Sequence, residues 1–276
     1  MGKTGCIIQA RMTSSRLPGK VLRTIDNGSG KTVLDSVIER VKMAKGVDEI
    51  IIATTVNPDD DVLEEKAASY GVGCFRGSES DVLSRYYLAA CEEGLDEVIR
   101  ITSDCPFLDP EVISSLIDLH KSGSKDYSSN CVRRTYPHGL DCEIVRFDVL
   151  EKIFNEQTDQ FYREHVTSYI TSHYDDFNVG SLEDREDNSG IRITVDTMND
   201  YILTCVLNDL LKGCDDPYSY RTVVELFRTH PYLSDINGEI MQKKKYEDPA
   251  EEIEAAVRLL KLQEMFRAAE LLEERS

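Results

Sequence analysis

Short apolar runs alternate with helically spaced apolar residues along the first half of the chain. CIIQA (6–10) reads as a buried strand, and Val33, Leu34, Val37, Ile38 and Val41 then recur at helical spacing. EIIIATT (49–55) is a second strand, followed by an Asn57-Pro58 turn and a helix from about Asp59 to Tyr70. GVGCFRG (71–77) is a short strand, and the Ser-Glu-Ser-Asp cluster at 78–81 starts a helix that keeps apolar spacing to Ala90. EVIRIT (97–102) is a further strand, with the helix Val112–His120 beyond it. This alternation predicts an α/β fold with a mainly parallel sheet and right-handed crossovers. Ligands of such sheets sit at the carboxyl ends of the strands.

After residue 125 the rhythm changes. Asp126–Ile144 reads as irregular strands around TYPHGLDCE, and Asp148–Gln157 and Tyr162–His173 read as helices. GIRITVDT (190–197) reads as another strand, and Tyr201–Leu211 and Tyr218–Thr229 as helices. Asp248 is an expected N-cap, with Pro249 opening one amphipathic helix whose apolar positions include Ile253, Val257, Leu260, Phe266, Ala269 and Leu271–Leu272. The expected division is a domain over 1–232, with a smaller lobe at about 126–189, and a C-terminal helical extension over 233–276.

Composition narrows the function classes. A chain of 276 residues, 41% hydrophobic, can bury one large core or two modest ones. Without an N-terminal apolar segment or a membrane-length run, the expectation is a cytoplasmic protein with no membrane partner. Eight cysteines without a CxxC pair fit reduced, mostly buried thiols. A net charge of −19 argues against nucleic acid, whose phosphates need a basic surface. It leaves room for a small phosphate ligand where local cations reverse the field. One place does so: the first 25 residues carry five Lys or Arg and no carboxylate.

Three of those cations, Arg11, Arg16 and Lys20, lie in QARMTSSRLPGK (9–20) among the hydroxyls of Thr13, Ser14 and Ser15. A loop of this kind between a strand and a helix suits a polyphosphate, through charge-assisted bonds, hydroxyls and backbone N–H groups. It is not a GxxxxGK[ST] loop, because Ser14 stands at the first glycine position and Val21 follows Lys20. On the residues alone, a solvated basic turn is the alternative. Asp104 and Asp196 each follow an apolar run, EVIRIT and IRITV. If both runs belong to one sheet, both carboxylates face the same crevice as the basic loop. Two carboxylates with triphosphate oxygens and waters make an octahedral magnesium site. The alternative is that each merely caps the next helix.

IIQARMTSSRLPGKVL, IIIATT, FRGSESDVLSRYYLA, RITSDCPFLDPEVI, YPHGLDCEI, REHVTSYI and IRITVDT occur in that order. Together they resemble the SpsF-type branch of the sugar-acid cytidylyltransferases of surface and spore-coat polysaccharide synthesis, relatives of the enzymes that activate ketodeoxyoctulosonate and N-acetylneuraminate. The resemblance covers roughly residues 5 to 230, and SSRLPGK and SDCP are its most specific parts. It implies a Rossmann-like nucleotidyltransferase three-layer sandwich with a smaller acceptor and dimerisation lobe. The implied reaction joins CMP from CTP to an anionic small-molecule acceptor and releases pyrophosphate, in a homodimer using Mg²⁺.

By the same resemblance Arg11, Ser14, Ser15, Arg16 and Lys20 hold the triphosphate, with Lys20, Arg11 and Arg16 taking up charge as pyrophosphate leaves. Ala10 and nearby backbone face the cytosine, Asp81 and Thr102 border the nucleotide, and Asp104 and Asp196 hold the metal. His138, Asp141 and Glu143, with Arg163, Glu164 and His165, form the candidate acceptor side. Each of these has a plainer reading. Both histidines suit structural roles, Arg163 suits a helix-face ion pair, and Asp81 and Arg85 suit helix capping and charging. The run Asp59-Asp60-Asp61 reads as a helix N-terminus. Met198 stands where related chains often carry Pro, which is expected to loosen the turn after Asp196. A nucleotide-sugar glycosyltransferase of related fold and a non-catalytic nucleotide-binding domain are the other readings. DCP is not the DxD metal motif expected of the first.

Overall fold

The computed structural model describes residues 2–238, 240 and 249–273. In chain order its first elements are β1 (Thr4–Gln9), β2 (Thr24–Asp26), β3 (Lys31–Thr32), α1 (Val33–Met43), β4 (Glu49–Thr55), α2 (Asp61–Tyr70) and β5 (Gly73–Gly77). Next come α3 (Val82–Glu93), β6 (Glu97–Thr102), α4 (Pro110–Ser122), β7 (Tyr127–Ser129), β8 (Glu143–Arg146) and α5 (Phe147–Glu156). Then follow α6 (Gln160–His165), α7 (Ser168–Ser172), β9 (Val179–Ser181), α8 (Met198–Leu211), α9 (Tyr220–Thr229) and α10 (Leu233–Asn237). The last two are α11 (Pro249–Leu262) and α12 (Phe266–Glu273).

The main sheet has seven strands in the order β5-β4-β1-β6-β8-β7-β9. β1 pairs in parallel with β4 and β6, and β4 with β5. β8 runs antiparallel to β6 and β7, while β9 is parallel to β7. Segment 126–189 thus adds three strands to this sheet.

Strand alternation builds one layer on each face. Cys6 and Ile8 of β1 pack with Leu34, Val37 and Ile38 of α1 and with Leu116 of α4. Ile7, between them, packs on the other face with Leu83 and Tyr86 of α3 and Leu150 of α5. Each fully buried isoleucine of these strands contributes roughly 1.5–3 kcal/mol. A third cluster joins Phe107 to Leu203 of α8, Val223 of α9 and Leu233 of α10.

Three local expectations are corrected. Residues 190–197 form no ladder strand; only an isolated bridge joins Arg192 to His138. The segment is extended, but two separate loops share its hydrogen bonds: Ile193 N donates to the His138 carbonyl and Val195 N to the Asp104 carbonyl, each at 2.8 Å. The helix expected over 162–173 breaks into α6 and α7 at Val166 (φ 50°), where Val166 and Ile170 are buried in the second layer. The single C-terminal helix is instead the pair α11 and α12, separated by a turn with Glu264 at φ 57°.

The chain divides into two compact units at Gly238. Leu233 and Asn237 are buried, so α10 belongs to the first unit. In the second unit α11 and α12 pack on each other, burying Val257 and Ala269, with Lys261 2.6 Å from Glu273. Asp248 and the basic run 243–245 lie outside the described residues. All eight cysteines are free thiols; Cys6, Cys105 and Cys142 are buried and Cys91 is exposed. Among the described residues no helix is long and apolar enough to cross a membrane.

Candidate active site

The basic loop leaves β1 at the carboxyl end of the sheet and is anchored at both ends. Met12 N donates to Asp60 Oδ1 at 2.7 Å, and the other oxygen of that buried carboxylate accepts the Thr55 hydroxyl at the end of β4. At the far end Ser14 Oγ accepts from Leu17 N at 3.4 Å, and Gly19, at φ 66°, turns the chain into Lys20–Leu22. A residue with a Cβ is strained in that left-handed conformation. Leu17 is buried in a small cluster with Ile25, Val33 and Val195. That packing brings Arg16, beside Leu17, to Asp196, beside Val195: Arg16 Nη2 lies 2.8 Å from Asp196 Oδ1.

Lys20 occupies the centre. Its Nζ donates to Asp104 Oδ2 at 2.7 Å and to Asp196 Oδ1 at 2.9 Å. Thr102 Oγ1 orients the other oxygen of Asp104 at 2.6 Å. Arg192 Nη2 holds the other oxygen of Asp196 at 2.9 Å. Burial works against the charge on Lys20, yet the two carboxylates raise its pKa above the usual value. Burial likewise opposes ionisation of Asp196, but Lys20, Arg16 and Arg192 outweigh it and hold the carboxyl at about 2. Two carboxylates therefore converge on one cation position.

That donor set fits a divalent cation of the magnesium type, which takes one or two protein carboxylates and completes its shell with phosphate oxygens and water. Among the described residues no group of three or more His, Cys, Asp or Glu could hold a metal unaided. A metal held by this pair would need further oxygens, from substrate or water.

An open depression of about 610 Å³ is lined by Met12, Thr13, Ser14, Ser15, Pro18 and Asp59. A more enclosed cavity of about 430 Å³ lies elsewhere, against Asp109, Glu111, Asp118 and Asp216. Lys45 lies among those carboxylates, whereas the loop depression is bordered by the hydroxyl residues Thr13, Ser14 and Ser15 and one carboxylate, Asp59. Arg11 is half-exposed, with Glu79 3.6 Å away. Ala10 is buried, its N–H donating to the Ala53 carbonyl at 3.2 Å.

The remaining expected residues are placed unevenly. Glu143, expected on the acceptor side, is buried, and its oxygens accept from Arg100, Tyr127 and Thr167. The Arg163 guanidinium donates to Asp81 and to the Phe154 and Gln157 carbonyls. Asp81 caps α3 by accepting from Ser84 N at 3.0 Å, and so ties α3 to α6 rather than offering a free carboxylate. Arg85 is buried, and burial lowers its pKa. Asp141 accepts both Arg134 nitrogens, at 2.6 and 2.9 Å, and lies 3.6 Å from His138. Burial pushes the His138 imidazole down in pKa. Glu164 and His165 are exposed on α6, with the His165 ring 4.7 Å from that of Phe161.

Sequence reasoning missed Asp60, which stands at a helix start but spends its carboxylate on the loop and on β4. It also missed Asp200 and Arg192. The turn after Asp196 is not loose: Thr197 and Asp200 form a reciprocal capping box with Met198 as the first residue of α8. Gly139 was not singled out either. At φ 112° it lets the YPHG turn touch residues 193–194, where a Cβ would stand 2.6 Å from Thr194 N.

Residues 5–261 match the family described as Cytidylyltransferase. The chain belongs to that family. It is 36% identical over 242 residues to the protein MJ1063 of Methanocaldococcus jannaschii, covering 86% of this chain and 95% of the relative. It is 38% identical over 206 residues to the spore coat polysaccharide biosynthesis protein SpsF of Bacillus subtilis, covering 71% of this chain and 82% of that one. The solved cytidylyltransferase of Leptospira borgpetersenii superposes with a TM-score of 0.79 at 31% identity, covering 88% of this chain and all of that one. The chain is accordingly a CTP-dependent nucleotidyltransferase with the Rossmann-like nucleotidyltransferase fold.

Proposed function

We propose that this cytidylyltransferase transfers CMP from CTP to a hydroxyl of an acidic sugar, or of a related anionic acceptor, in the synthesis of a surface polysaccharide precursor. The observation that carries the reading is the Lys20 ammonium set between Asp104 and Asp196 at the end of a basic, hydroxyl-rich loop. The acceptor oxygen bonds to the α-phosphorus of CTP, the bond from that phosphorus to the α–β bridging oxygen breaks, and pyrophosphate leaves. The hydroxyl proton is released.

Arg11, Ser14, Ser15, Arg16 and Lys20 bind the triphosphate and oppose charge that grows on the leaving pyrophosphate. The backbone near Ala10 and the Thr102 end of β6 border the nucleoside. Asp104 and Asp196 would hold Mg²⁺, which supplies Lewis-acid stabilisation of phosphate oxygens when bound. His138, Asp141, Glu164 and His165 remain the candidates for acceptor contact. The eight free thiols suit the cytoplasm. A homodimer is in keeping with the exposed Leu259, Met265, Phe266 and Leu271 of the C-terminal unit, and sedimentation of the full chain tests it.

Pyrophosphate release with each of four nucleoside triphosphates against a panel of sugar acids tests the reading. CTP should be preferred with the correct acceptor. Equal turnover of UTP, or activity with ATP alone, would overturn it.

A further inference from the structure

The polar network behind Asp196 extends well past the residues that line the crevice. Asp196 directs Oδ1 to Lys20 and Arg16, and yields Oδ2 to Arg192 Nη2. Arg192 thereby fixes the rotation of the carboxylate. Asp200 fixes Arg192 in turn, taking Nε on one oxygen at 2.9 Å and Nη2 on the other at 3.1 Å. The same carboxylate accepts the backbone N–H groups of Asp196 at 3.1 Å and Thr197 at 2.9 Å. It therefore holds both the main chain that carries Asp196 and the side chain that aims it.

Asn237 closes the network. Its Nδ2 donates to Asp200 Oδ1 at 2.9 Å and to the Arg192 carbonyl at 3.1 Å. Asn237 and Asp200 are both buried. Leu233, one turn earlier on α10, is fully buried in the third cluster and pins the short helix in place. A neutral amide suits the position. Asp200 already has the Arg192 charge, so a second cation would leave the buried group with an excess, and a carboxylate would repel it.

We propose that Asn237 is a positioning residue for Asp196, acting through Asp200 and Arg192. The inference rests on the reading of Asp196 as a metal and nucleotide carboxylate. Residues behind a metal-ligating carboxylate typically influence affinity or turnover by about 10- to 100-fold. Asn237 belongs in that range although it touches no substrate.

The test uses the full chain with Asn237→Ala, Asn237→Asp and Asp196→Asn, each checked for fold by circular dichroism. Mn²⁺ binding in the presence of CTP is read by electron paramagnetic resonance, and kcat and KM are read separately. Asn237→Ala should weaken Mn²⁺ binding and lower kcat about 10-fold, with the KM for CTP little changed. Asn237→Asp keeps the shape but offers no proton at neutral pH, and a buried carboxyl beside Asp200 has a raised pKa. Its activity relative to wild type should therefore recover as pH falls and the introduced carboxyl regains a donor. Normal Mn²⁺ binding by Asp196→Asn would sink the reading of Asp196 itself. Loss in Asp196→Asn with wild-type behaviour in Asn237→Ala would overturn the positioning role alone. A fall in melting temperature without a kcat effect, or no recovery of Asn237→Asp at low pH, would reduce Asn237 to a structural residue and likewise overturn the proposal.

Discussion

Lys20 Nζ stands 2.7 Å from Asp104 Oδ2 and 2.9 Å from Asp196 Oδ1, so one ammonium bridges two carboxylates that arrive from distant parts of the chain. The bridge keeps both carboxylates together at the point where the proposed metal and phosphates would gather. On the proposed reading, the flexible lysine stem would let the same ammonium turn from carboxylate to phosphate.

Lys20→Met should therefore lower kcat more than it raises the KM for CTP, because the charge counts most as pyrophosphate departs. Steady-state kinetics decide it. A change confined to KM would make Lys20 a ground-state anchor.

Asp104→Asn and Asp196→Asn should each reduce turnover by about 10² or more with the fold intact, since each orients charge acting on the transition state. Asp196 also has a stability signature. Its carboxyl titrates at about 2 in the fold against a usual 3.8. A depressed carboxyl contributes stability that is fully present above the unfolded value and disappears as pH falls through the folded one. Urea unfolding at a series of pH values should show wild type more stable than Asp196→Asn above about pH 4, with the gap closing toward pH 2. A gap that stays constant over that range would mean Lys20, Arg16 and Arg192 do not hold the carboxylate.

The parallel half of the fold was legible because β1, β4 and β6 are apolar runs set between helices with clear spacing. The convergence of the loop with Asp104 and Asp196 was expected only if both apolar runs lay in one sheet; the residues do converge, but 190–197 is not a strand of that sheet. IRITV misled in one respect: its alternation is that of an extended chain, but its hydrogen-bond partners are the loop positions His138 and Asp104 rather than a neighbouring strand. Glu143 looked like an acceptor group because polar residues surround it in YPHGLDCE. Its place on β8, between buried Cys142 and Ile144, was the available signal that it faces Arg100 and Tyr127. Asn237 carried no local signal at all, since its partners lie at Arg192 and Asp200.

Asp60 offers a direct test of how the loop is held. It is fully buried and accepts Met12 N together with the Thr55 hydroxyl. Asp60→Ala leaves those donors unsatisfied, which costs about 1–3 kcal/mol for each group that water cannot reach. The variant should melt lower and show a raised KM for CTP, because the loop loses its link to β4. An unchanged KM with a lower melting temperature would confine Asp60 to stability.

Gly139 tests whether the YPHG turn sets the site from the opposite side. Its φ of 112° disfavours any side chain, and a Cβ would lie 2.6 Å from Thr194 N and 2.8 Å from the Ile193 carbonyl carbon. Those atoms are backbone, so they cannot swing aside as a flexible side-chain end would. Gly139→Ala must either open the turn or push residues 193–194 away, and Asp196 follows two residues later. Strain of this kind costs about 1–3 kcal/mol. The expected result is a lower melting temperature together with a fall in kcat larger than any change in the KM for CTP, since the basic loop itself is untouched. Calorimetry and initial rates on the same preparation check both. A variant that is destabilised but retains wild-type kcat would show that Asp196 is held through Asp200 and Arg192 alone, without help from the turn.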